Sequence, residues 1–312
     1  MRESLVNPRE IMQQPLLTIV ITNYNHGKYL PKAIDSLVSQ DFFPFEVLII
    51  DDASTDHSLE VIDEYARRYP LIRVIKHAVN RGICFSLCEG VEAAKGTYVH
   101  TMGADDYRLP GFVKKTMDLL VKHPQIGVAC SDFGYIKGDT NEGPILSEKL
   151  IGSLSAPTVF SPQEVLRIFQ TTHLWVPGHT AIFKRELALK YKKYDEKLKF
   201  LCDWFLLHQI ALNEGVGYVP ETLSVWWIRA SSYSSSLLED KKNKKEVYRN
   251  LFNFLFKSKD QKLRQLFAKS TLLRTPFNAL FTEIFFKPKY WPFFLYFAKK
   301  SLYIRFRGCG TL

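Results

Sequence analysis

The sequence predicts an α/β fold with a mostly parallel central sheet flanked by helices. Through the first 130 residues, apolar runs typical of buried strands alternate with amphipathic segments typical of helices. Polar clusters follow the predicted strands, and a segment rich in basic and aromatic residues ends the chain. A repeated strand-helix order is the pattern of a parallel sheet whose strands are joined by crossover helices.

The elements follow one another regularly. LLTIVIT, at 16–22, is the first strand, and HGKYLPKAIDSLVSQ has helical spacing with a Pro near its start, where a first turn tolerates it. FEVLIID is the second strand, and STDHSLEVIDEYARRY is a helix that we expect Ser54 or Thr55 to cap. IRVIKH and TYVHTMG are the third and fourth strands, on either side of the helix ICFSLCEGVEAAKG.

The second half is less regular. A Gly, Ser and Pro rich stretch from Gly138 to Pro162 predicts a long loop or flap. The helix PQEVLRIF, the strand region WVPGHTAIF, an acidic segment with CDW and the strand VGYVPETLSVWWIR follow, and ASSYSSSLLEDKKNKK is the best linker candidate. We expect a catalytic domain over 1–235, with halves at about 16–135 and 136–235, and a helical extension over 236–312.

Charge and cysteine content limit the cellular setting. The net charge is +10, and residues 241–312 hold 17 Lys and Arg against 3 Asp and Glu, with 17 of the 43 aromatic residues. Five cysteines, an odd number without CxxC spacing, predict a reduced, cytosolic protein. The N-terminal residues contain no apolar run of signal-peptide type, and no run reaches the roughly 20 apolar residues of a spanning helix.

Polar loops follow all four predicted strands. TNYNHG, DDASTD, NRG and GADD come directly after the first, second, third and fourth strand. Ligands of parallel sheets bind outside the carboxyl ends of the strands, so the four loops together indicate a site. For Asp105 and Asp106 two interpretations stay open: turn formation before Pro110-Gly111, or binding of Mg²⁺ or Mn²⁺ shared with substrate phosphates. Asp51 and Asp52 pose the same choice between a helix cap and a ligand contact.

The order of these motifs resembles that of the family 2 glycosyltransferases, which have the GT-A fold with a Rossmann-like nucleotide half. VITNYN, IIDDASTD, NRG, GADD and CDW match the family pattern over about residues 16–235. The resemblance implies an inverting, metal-dependent transferase that uses a nucleotide sugar, with a UDP-sugar as the expected donor. Mn²⁺ or Mg²⁺ is the implied cofactor.

The resemblance also implies a role for individual residues. Asp203 would be the catalytic base that takes a proton from the acceptor hydroxyl, and Asp106 would be the principal metal ligand, joined by Asp105. Capping of the helix after CDW is a compatible second role for Asp203. Nucleotide contacts would come from Thr22, Tyr24, Asn25, Asp52, Asn80 and Asp105, with Tyr24 stacking on the nucleobase. Further candidates for contact with the acceptor or the diphosphate are His179, Trp204 and Arg229.

The sequence departs from the family pattern at several positions. Gly103 replaces the first aspartate of the usual DxDD, Cys202 stands where an acidic residue often precedes the catalytic Asp, and Leu87 and Cys88 replace a basic residue and an Asn. These changes keep open a second hypothesis, a non-catalytic membrane-associated assembly protein that retains the fold. A nucleotidyltransferase and a dehydrogenase are disfavoured because TNYNHGKYL is not a Gly-rich phosphate loop and GxGxxG is missing.

The basic and aromatic tail predicts a partner. Lys and Arg attract anionic headgroups and aromatic rings settle at the interface, so we expect 241–312 to bind a membrane surface, with packing on the core or in a homodimer as the alternative. Nucleic acid is not expected, since no nucleic-acid-binding signature occurs. We therefore expect a cytoplasmic protein, peripheral at the inner face of the cytoplasmic membrane, that acts on a saccharide or lipid-linked saccharide acceptor.

Overall fold

The computed structural model describes residues 15–41, 44–138, 143–171, 176–191, 194–229, 240–257 and 260–285, and positions 288, 291 and 295. The strands are β1 (Leu17–Asn23), β2 (Phe45–Asp51), β3 (Ile72–Lys76), β4 (Tyr98–Gly103), β5 (Tyr107–Arg108), β6 (Val128–Lys137), β7 (Leu146–Glu148), β8 (Thr158–Phe160), β9 (Ile182–Lys184) and β10 (Val216–Ile228). The α-helices are α1 (Leu30–Val38), α2 (Ser58–Arg68), α3 (Ile83–Ala93), α4 (Phe112–Lys122), α5 (Pro162–Thr171), α6 (Arg185–Lys190), α7 (Cys202–Glu214), α8 (Lys241–Lys257), α9 (Gln261–Lys269) and α10 (Arg274–Phe285), and short 3₁₀ turns occupy Gly178–Thr180 and Glu196–Leu201.

All strands belong to one sheet with the order β3-β2-β1-β4-β9-β6-β10-β5, to which β7 and β8 add at β6 and β10. The pairs β1/β2, β1/β4, β2/β3 and β6/β10 are parallel. Because β9 is antiparallel to both β4 and β6, the long strands all run in the same direction. Their carboxyl ends therefore lie along a single edge. The mixed α/β sheet confirms the predicted fold class.

Side chains of the parallel strands alternate between two cores, one on each face of the sheet. In β1, Val20 belongs to one apolar cluster, and Ile19 and Ile21 belong to the other. The period of two places successive side chains on opposite faces, and burial on both faces explains why these strands are unbroken apolar runs in the sequence. Helices α1 and α4 cover one face, and α3 and α7 cover the other.

The far edge of the sheet curls back toward its middle. The two-residue strand β5 pairs with β10 at the end of the sheet. In the sheet order β5 is four positions away from β4. Nevertheless the Arg108 side chain of β5 donates through Nε to Nε2 of His100 in β4, at 2.9 Å. The turn between β4 and β5 therefore joins the middle of the sheet to its edge.

The C-terminal helices pack on the catalytic part. Tyr248, Phe252 and Phe267 of α8 and α9 are buried in the same apolar cluster as Phe205 of α7. Thr271 donates through its backbone and hydroxyl to the carbonyl of Phe169 in α5. The alternative of packing on the core thus holds for these helices. The division at 235 stays a prediction, because 230–239 lie outside the described residues.

Two local predictions differ from the structure. Neither Ser54 nor Thr55 caps α2; instead Asp56 accepts from the Ser58 amide at 2.9 Å, because Ser54 is engaged with Asp51 and Asn25. The stretch from Gly138 to Pro162, predicted as a long loop or flap, contains the short strands β7 and β8 within its described residues. No helix in the described part of the chain combines the length and apolar character that crossing a membrane requires.

Candidate functional site

The predicted site residues gather at the edge where the long strands end. Asn23, Asp51 and Gly103 terminate β1, β2 and β4, and Arg229 directly follows β10. The loops after these strands are tied to one another by side-chain hydrogen bonds. This edge is the place where a parallel sheet offers its binding crevice.

The loops after β1 and β2 form one hydrogen-bonded unit. Asn25, in a left-handed conformation with φ 56°, accepts through Oδ1 from the amides of Thr55 and Asp56, at 2.7 and 3.3 Å. The backbone N–H of Asn25 donates to Ser54 Oγ at 2.9 Å. Asn25 therefore holds two loops together, while Tyr24 beside it is 46 % exposed and presents an aromatic ring to solvent. Such a ring is available for stacking on a nucleobase.

Thr22 lies at the buried end of β1, one residue inside that unit. Its carbonyl accepts from the amide of Ala104 at 3.2 Å, which joins β1 to the turn that carries Asp105 and Asp106. Thr22 is thus placed between the loop after β1 and the turn that carries Asp105 and Asp106.

Asp52 is surrounded by donors from the third loop. Oδ1 accepts from the amide of Arg81 at 2.8 Å and lies 2.7 Å from Nδ1 of His77, and Oδ2 accepts from the amide of Gly82 at 2.8 Å. Asn80 is exposed, and its Oδ1 also accepts from the Gly82 amide, at 3.0 Å. Asp52 therefore shapes the loop that contains Asn80 in addition to any contact with a nucleobase.

Asp105 and Asp106 occupy the turn between β4 and β5. Asp105 Oδ2 accepts from Nη2 of Arg229 at 2.6 Å, and the two side chains are 15 % and 12 % exposed. Burial and the neighbouring Asp105 charge raise the pKa of Asp106 to about 7, against the opposing effect of Arg108 and of the Trp227 amide, which donates to the Asp106 carboxylate. The two neighbouring carboxylates of the turn repel each other when both are ionised. A bound cation reduces this repulsion.

Gly103 fits this turn because a side chain would not. A Cβ at Gly103 would lie 2.7 Å from Oδ1 of Asp105. The departure from the family pattern at position 103 thus leaves room for the Asp105 carboxylate. Among the described residues, no group of three or more His, Cys, Asp or Glu forms a complete metal cage. Two hard oxygen donors at one turn nevertheless fit Mg²⁺ or Mn²⁺, which take their remaining ligands from water and phosphate.

Arg229 is held by several side chains besides Asp105. Its guanidinium lies over the rings of Trp227 and Tyr29, at 4.5 and 5.1 Å from their centroids, and Nη2 is 2.7 Å from Nε2 of His26. Burial is the main reason why the pKa of His26 is lowered. A neutral His26 accepts from Arg229, so the cation is fixed beside the acidic turn.

Asp203 lies in the first turn of α7 and faces Gly178. A Cβ built on Gly178 would lie 3.1 Å from Cγ of Asp203 and closer still to its Oδ2. Asp203 Oδ1 accepts from the amide of Trp204 at 2.7 Å, and Leu201 rather than Asp203 occupies the N-cap position. Burial raises the pKa of Asp203, opposed by the backbone amides of Trp204 and Asp203. A carboxylate with a raised pKa is a better general base.

A buried tyrosine lies between the region of Asp203 and β4. Asp203 contributes to raising the pKa of Tyr194, whose main cause is burial, and the Tyr194 hydroxyl is 3.3 Å from Oγ1 of Thr101 in β4. Thr101 lies two residues before Gly103. Tyr194 therefore links the neighbourhood of Asp203 to β4, and the meeting of Asp203 with Asp105 and Asp106 at one site stays a prediction.

His179 and Trp204 are oriented by packing. The His179 ring lies between Phe133 and Trp226, at 4.9 and 5.5 Å between centroids, and burial, then the Arg108 charge, lowers its pKa to about 3. Trp204 packs on His208, at 4.7 Å, and toward Phe267 of α9, at 6.1 Å. His179 is therefore neutral near the sheet edge, and Trp204 is directed toward the C-terminal helices. Their contact with an acceptor stays a prediction.

Several residues around the candidate site were not predicted from the sequence. These are Asn23, His26, His77, Glu89, Arg108 and Tyr194. The signal for His77 is its position directly after the third strand, at the same edge as the recognised motifs. Tyr194 carries no sequence signal, because its partner Thr101 is 93 residues away.

The architecture and the arrangement of loops agree with comparisons to known proteins. The model of the family described as "Glycosyl transferase family 2" matches residues 18–192. The chain belongs to glycosyl transferase family 2. As a family 2 glycosyltransferase it is 26 % identical over 283 residues to an uncharacterised glycosyltransferase of Methanocaldococcus jannaschii, with 88 % of this chain and 87 % of the relative covered. It spans 54 and 62 % of the length of two further curated relatives.

Solved structures share the fold of this family 2 glycosyltransferase. TarS of S. aureus, solved with UDP-GlcNAc, superposes with a TM-score of 0.65 at 18 % identity, over 85 % of this chain and 72 % of that chain. The mannosyltransferase PcManGT of Pyrobaculum calidifontis, solved with GDP-Man and Mn²⁺, gives 0.58 at 17 % identity, over 95 % and 82 %. The chain is therefore a transferase with a GT-A architecture.

Proposed function

We propose that this transferase moves a sugar from a nucleoside diphosphate donor, a UDP-sugar, to a hydroxyl of a saccharide acceptor with inversion at the anomeric carbon. The observation that carries the proposal is the acidic turn at the end of β4, where Asp105 pairs with Arg229 and the buried Asp106 has a pKa of about 7. A site with two carboxylates and a fixed guanidinium suits a metal-bound diphosphate.

Each candidate site residue has a defined task in this proposal. Tyr24, Thr22 and Asp52 receive the nucleoside, with Asn25 and Asn80 shaping the loops around it. Asp106 and Asp105 would hold Mn²⁺ or Mg²⁺, which neutralises the charge that develops on the departing diphosphate. Arg229, whose buried Nε has no hydrogen-bond partner within the described residues, would pair with the same anion. His179 and Trp204 belong to the acceptor side.

Asp203 supplies proton transfer. Its carboxylate accepts the proton of the acceptor hydroxyl while that oxygen forms a bond to the anomeric carbon and the bond to the diphosphate breaks. The transition state has oxocarbenium character, which the negative Asp203 also stabilises. Burial favours the protonated product form of Asp203 and so assists the transfer.

The test is turnover by an Asp203→Asn variant. Nucleotide release from a panel of nucleotide sugars with Mn²⁺ should fall by roughly 10² to 10⁴, while UDP binding by calorimetry stays at the wild-type value. Asp118→Asn makes the same chemical change at an exposed carboxylate of α4, which is 42 % exposed, and should leave both measurements unaltered. Full turnover by Asp203→Asn would refute the assignment of the base.

The acceptor side of the proposal concerns the membrane. Helices α8 and α9 bury apolar side chains, whereas Lys241, Lys245, Lys262 and Lys269 are exposed, and Trp291 and Leu295 are 53 % and 64 % exposed. This surface supports peripheral binding at the inner face of the cytoplasmic membrane, with a lipid-linked saccharide as acceptor. Sedimentation with anionic but not neutral vesicles is expected, and a salt-insensitive homodimer without vesicle binding would favour the dimer alternative.

A further inference from the structure

His77 connects the nucleoside loop to a helix through two carboxylates. It directly follows β3, and its side chain is 6 % exposed. Nδ1 lies 2.7 Å from Oδ1 of Asp52, and Nε2 lies 2.6 Å from Oε2 of Glu89 in α3. A neutral imidazole has a single N–H and can donate to only one carboxylate. Two short contacts to carboxylates therefore indicate an imidazolium that donates at both ends.

The charges around His77 favour that imidazolium. Asp52 faces it from the end of β2 and Glu89 from α3, and Phe85 of α3 packs edge-on against its ring, at 5.6 Å, beneath the guanidinium of Arg81. Burial lowers the pKa of His77, but the hydrogen bonds to Asp52 and Glu89 together outweigh burial and raise it. His77 is thus a cation set between two anions.

Asp52 has few acceptor positions left. An ionised carboxylate offers about four lone-pair sites. Both sites of Oδ1 are occupied, by His77 and by the amide of Arg81, and one site of Oδ2 is occupied by the amide of Gly82. One acceptor position of Oδ2 remains. The backbone N–H of Asp52 donates to the carbonyl of Asn23, at 2.8 Å, so Asp52 lies beside the loop that carries Tyr24.

We propose that His77 is a positioning residue of the nucleoside site, which holds Asp52 so that a single acceptor position meets the nucleobase. This selects a base with one N–H on its recognition edge, as in uracil, over guanine, whose two adjacent N–H groups need both carboxylate oxygens. The inference rests on the proposed function, in which Asp52 receives the nucleobase.

The geometry also makes the site pH-dependent. When pH rises through the pKa of His77, one of its two N–H groups is lost. A ring lone pair then opposes a carboxylate, and the position of Asp52 is no longer fixed. Binding of UDP by the full chain should therefore weaken at alkaline pH. The pH at which it weakens, the alkaline limit, is set by the pKa of His77, which Glu89 raises.

Calorimetry on the full chain with UDP and GDP in the presence of Mn²⁺, across mildly acidic to alkaline pH, tests the proposal. Wild type should bind UDP about ten times more tightly than GDP, and His77→Gln should weaken UDP binding by about tenfold, the effect of one charge-assisted hydrogen bond. The variant should also lose the alkaline limit of UDP binding, and its preference for UDP over GDP should be smaller. Its KM for the nucleotide-sugar donor should rise while kcat changes little. His123→Gln, at the end of α4, is the matched control.

Glu89→Gln gives a second test that retains both His77 and Asp52. Because Glu89 raises the pKa of His77, its replacement should move the alkaline limit of UDP binding to lower pH. Equal affinities for UDP and GDP in the wild type, or a wild-type pH profile in both variants, would overturn the inference alone. Absence of binding by any nucleoside diphosphate in the wild type would refute the proposed function itself.

Discussion

Replacing Gly178 with Ala should displace the candidate catalytic base without changing its chemistry. The new Cβ would lie 3.1 Å from Cγ and 3.4 Å from Cβ of Asp203, and nearer still to Oδ2. Nonbonded carbon atoms rest about 3.5 to 4.0 Å apart, so the carboxyl group has to retreat by at least about half an ångström. Misplacement of a reacting group by about 1 Å can cost roughly 10²-fold in rate. We expect kcat to fall by about 10- to 100-fold, and overpacking to cost about 1 to 3 kcal/mol of stability.

The assay for Gly178→Ala is nucleotide release under saturating donor, combined with calorimetry of UDP and a thermal melt. UDP affinity should stay at the wild-type value because the proposed nucleoside contacts come from the loops after β1, β2 and β3 and not from the turn at Gly178. Gly152→Ala is the control, since a Cβ at that position meets no heavy atom within 4 Å. Wild-type turnover by Gly178→Ala, together with an inactive Asp203→Asn, would refute the reasoning, because the observed carboxyl position would then not be the one that catalysis uses.

Three further predictions follow from the ion pair, the acidic turn and the C-terminal helices. Arg229→Gln leaves Asp105 nearly buried without its cation and should lower the free energy of unfolding by about 3 kcal/mol in urea titration; an unchanged midpoint would contradict it. The pKa of Asp106, about 7, exceeds its ordinary value, so its contribution to stability is present at low pH and is lost as pH rises through about 7. Since a metal needs the carboxylate, the increase in Tm produced by Mn²⁺ with UDP should grow over that pH range, and a pH-independent increase would be the contrary result. Phe252→Ala should cost about 3 to 5 kcal/mol in one cooperative transition, whereas the exposed control Lys241→Ala should be silent, and separate melting of the helices would indicate an independent unit.

Much of the sheet could be predicted because parallel strands buried on both faces are continuous apolar runs. LTIVITN and FEVLIID are buried throughout. The antiparallel strands β5, β7 and β8 have two or three residues and depend on pairing partners elsewhere in the chain, so sequence periodicity does not reveal them. The prediction that Ser54 or Thr55 caps α2 was wrong, because the Ser54 hydroxyl is hydrogen-bonded to Asp51 and Asn25.

The candidate site could be predicted as a set of loops but not as a set of contacts. The position of Asp52 and Asn25 at strand ends is a local property of the sequence, whereas their hydrogen bonds to neighbouring loops depend on the fold. The pairing of Arg229 with Asp105 joins residues 124 positions apart. It arises only because β10 is parallel to β6 and ends at the same edge as β4. The roles of the individual residues stay predictions.

The turn that carries Asp105 and Asp106 is fastened at both ends, by the ladder of β4 on one side and by the pairing of β5 with β10 on the other. A segment secured in this way is not a lid that swings shut over an incoming ligand. The carboxylates and Arg229 are preorganised before any ligand arrives, so little conformational entropy is lost when the diphosphate binds. Adaptation to new sugars is therefore expected in other parts of the chain, where change leaves this arrangement intact.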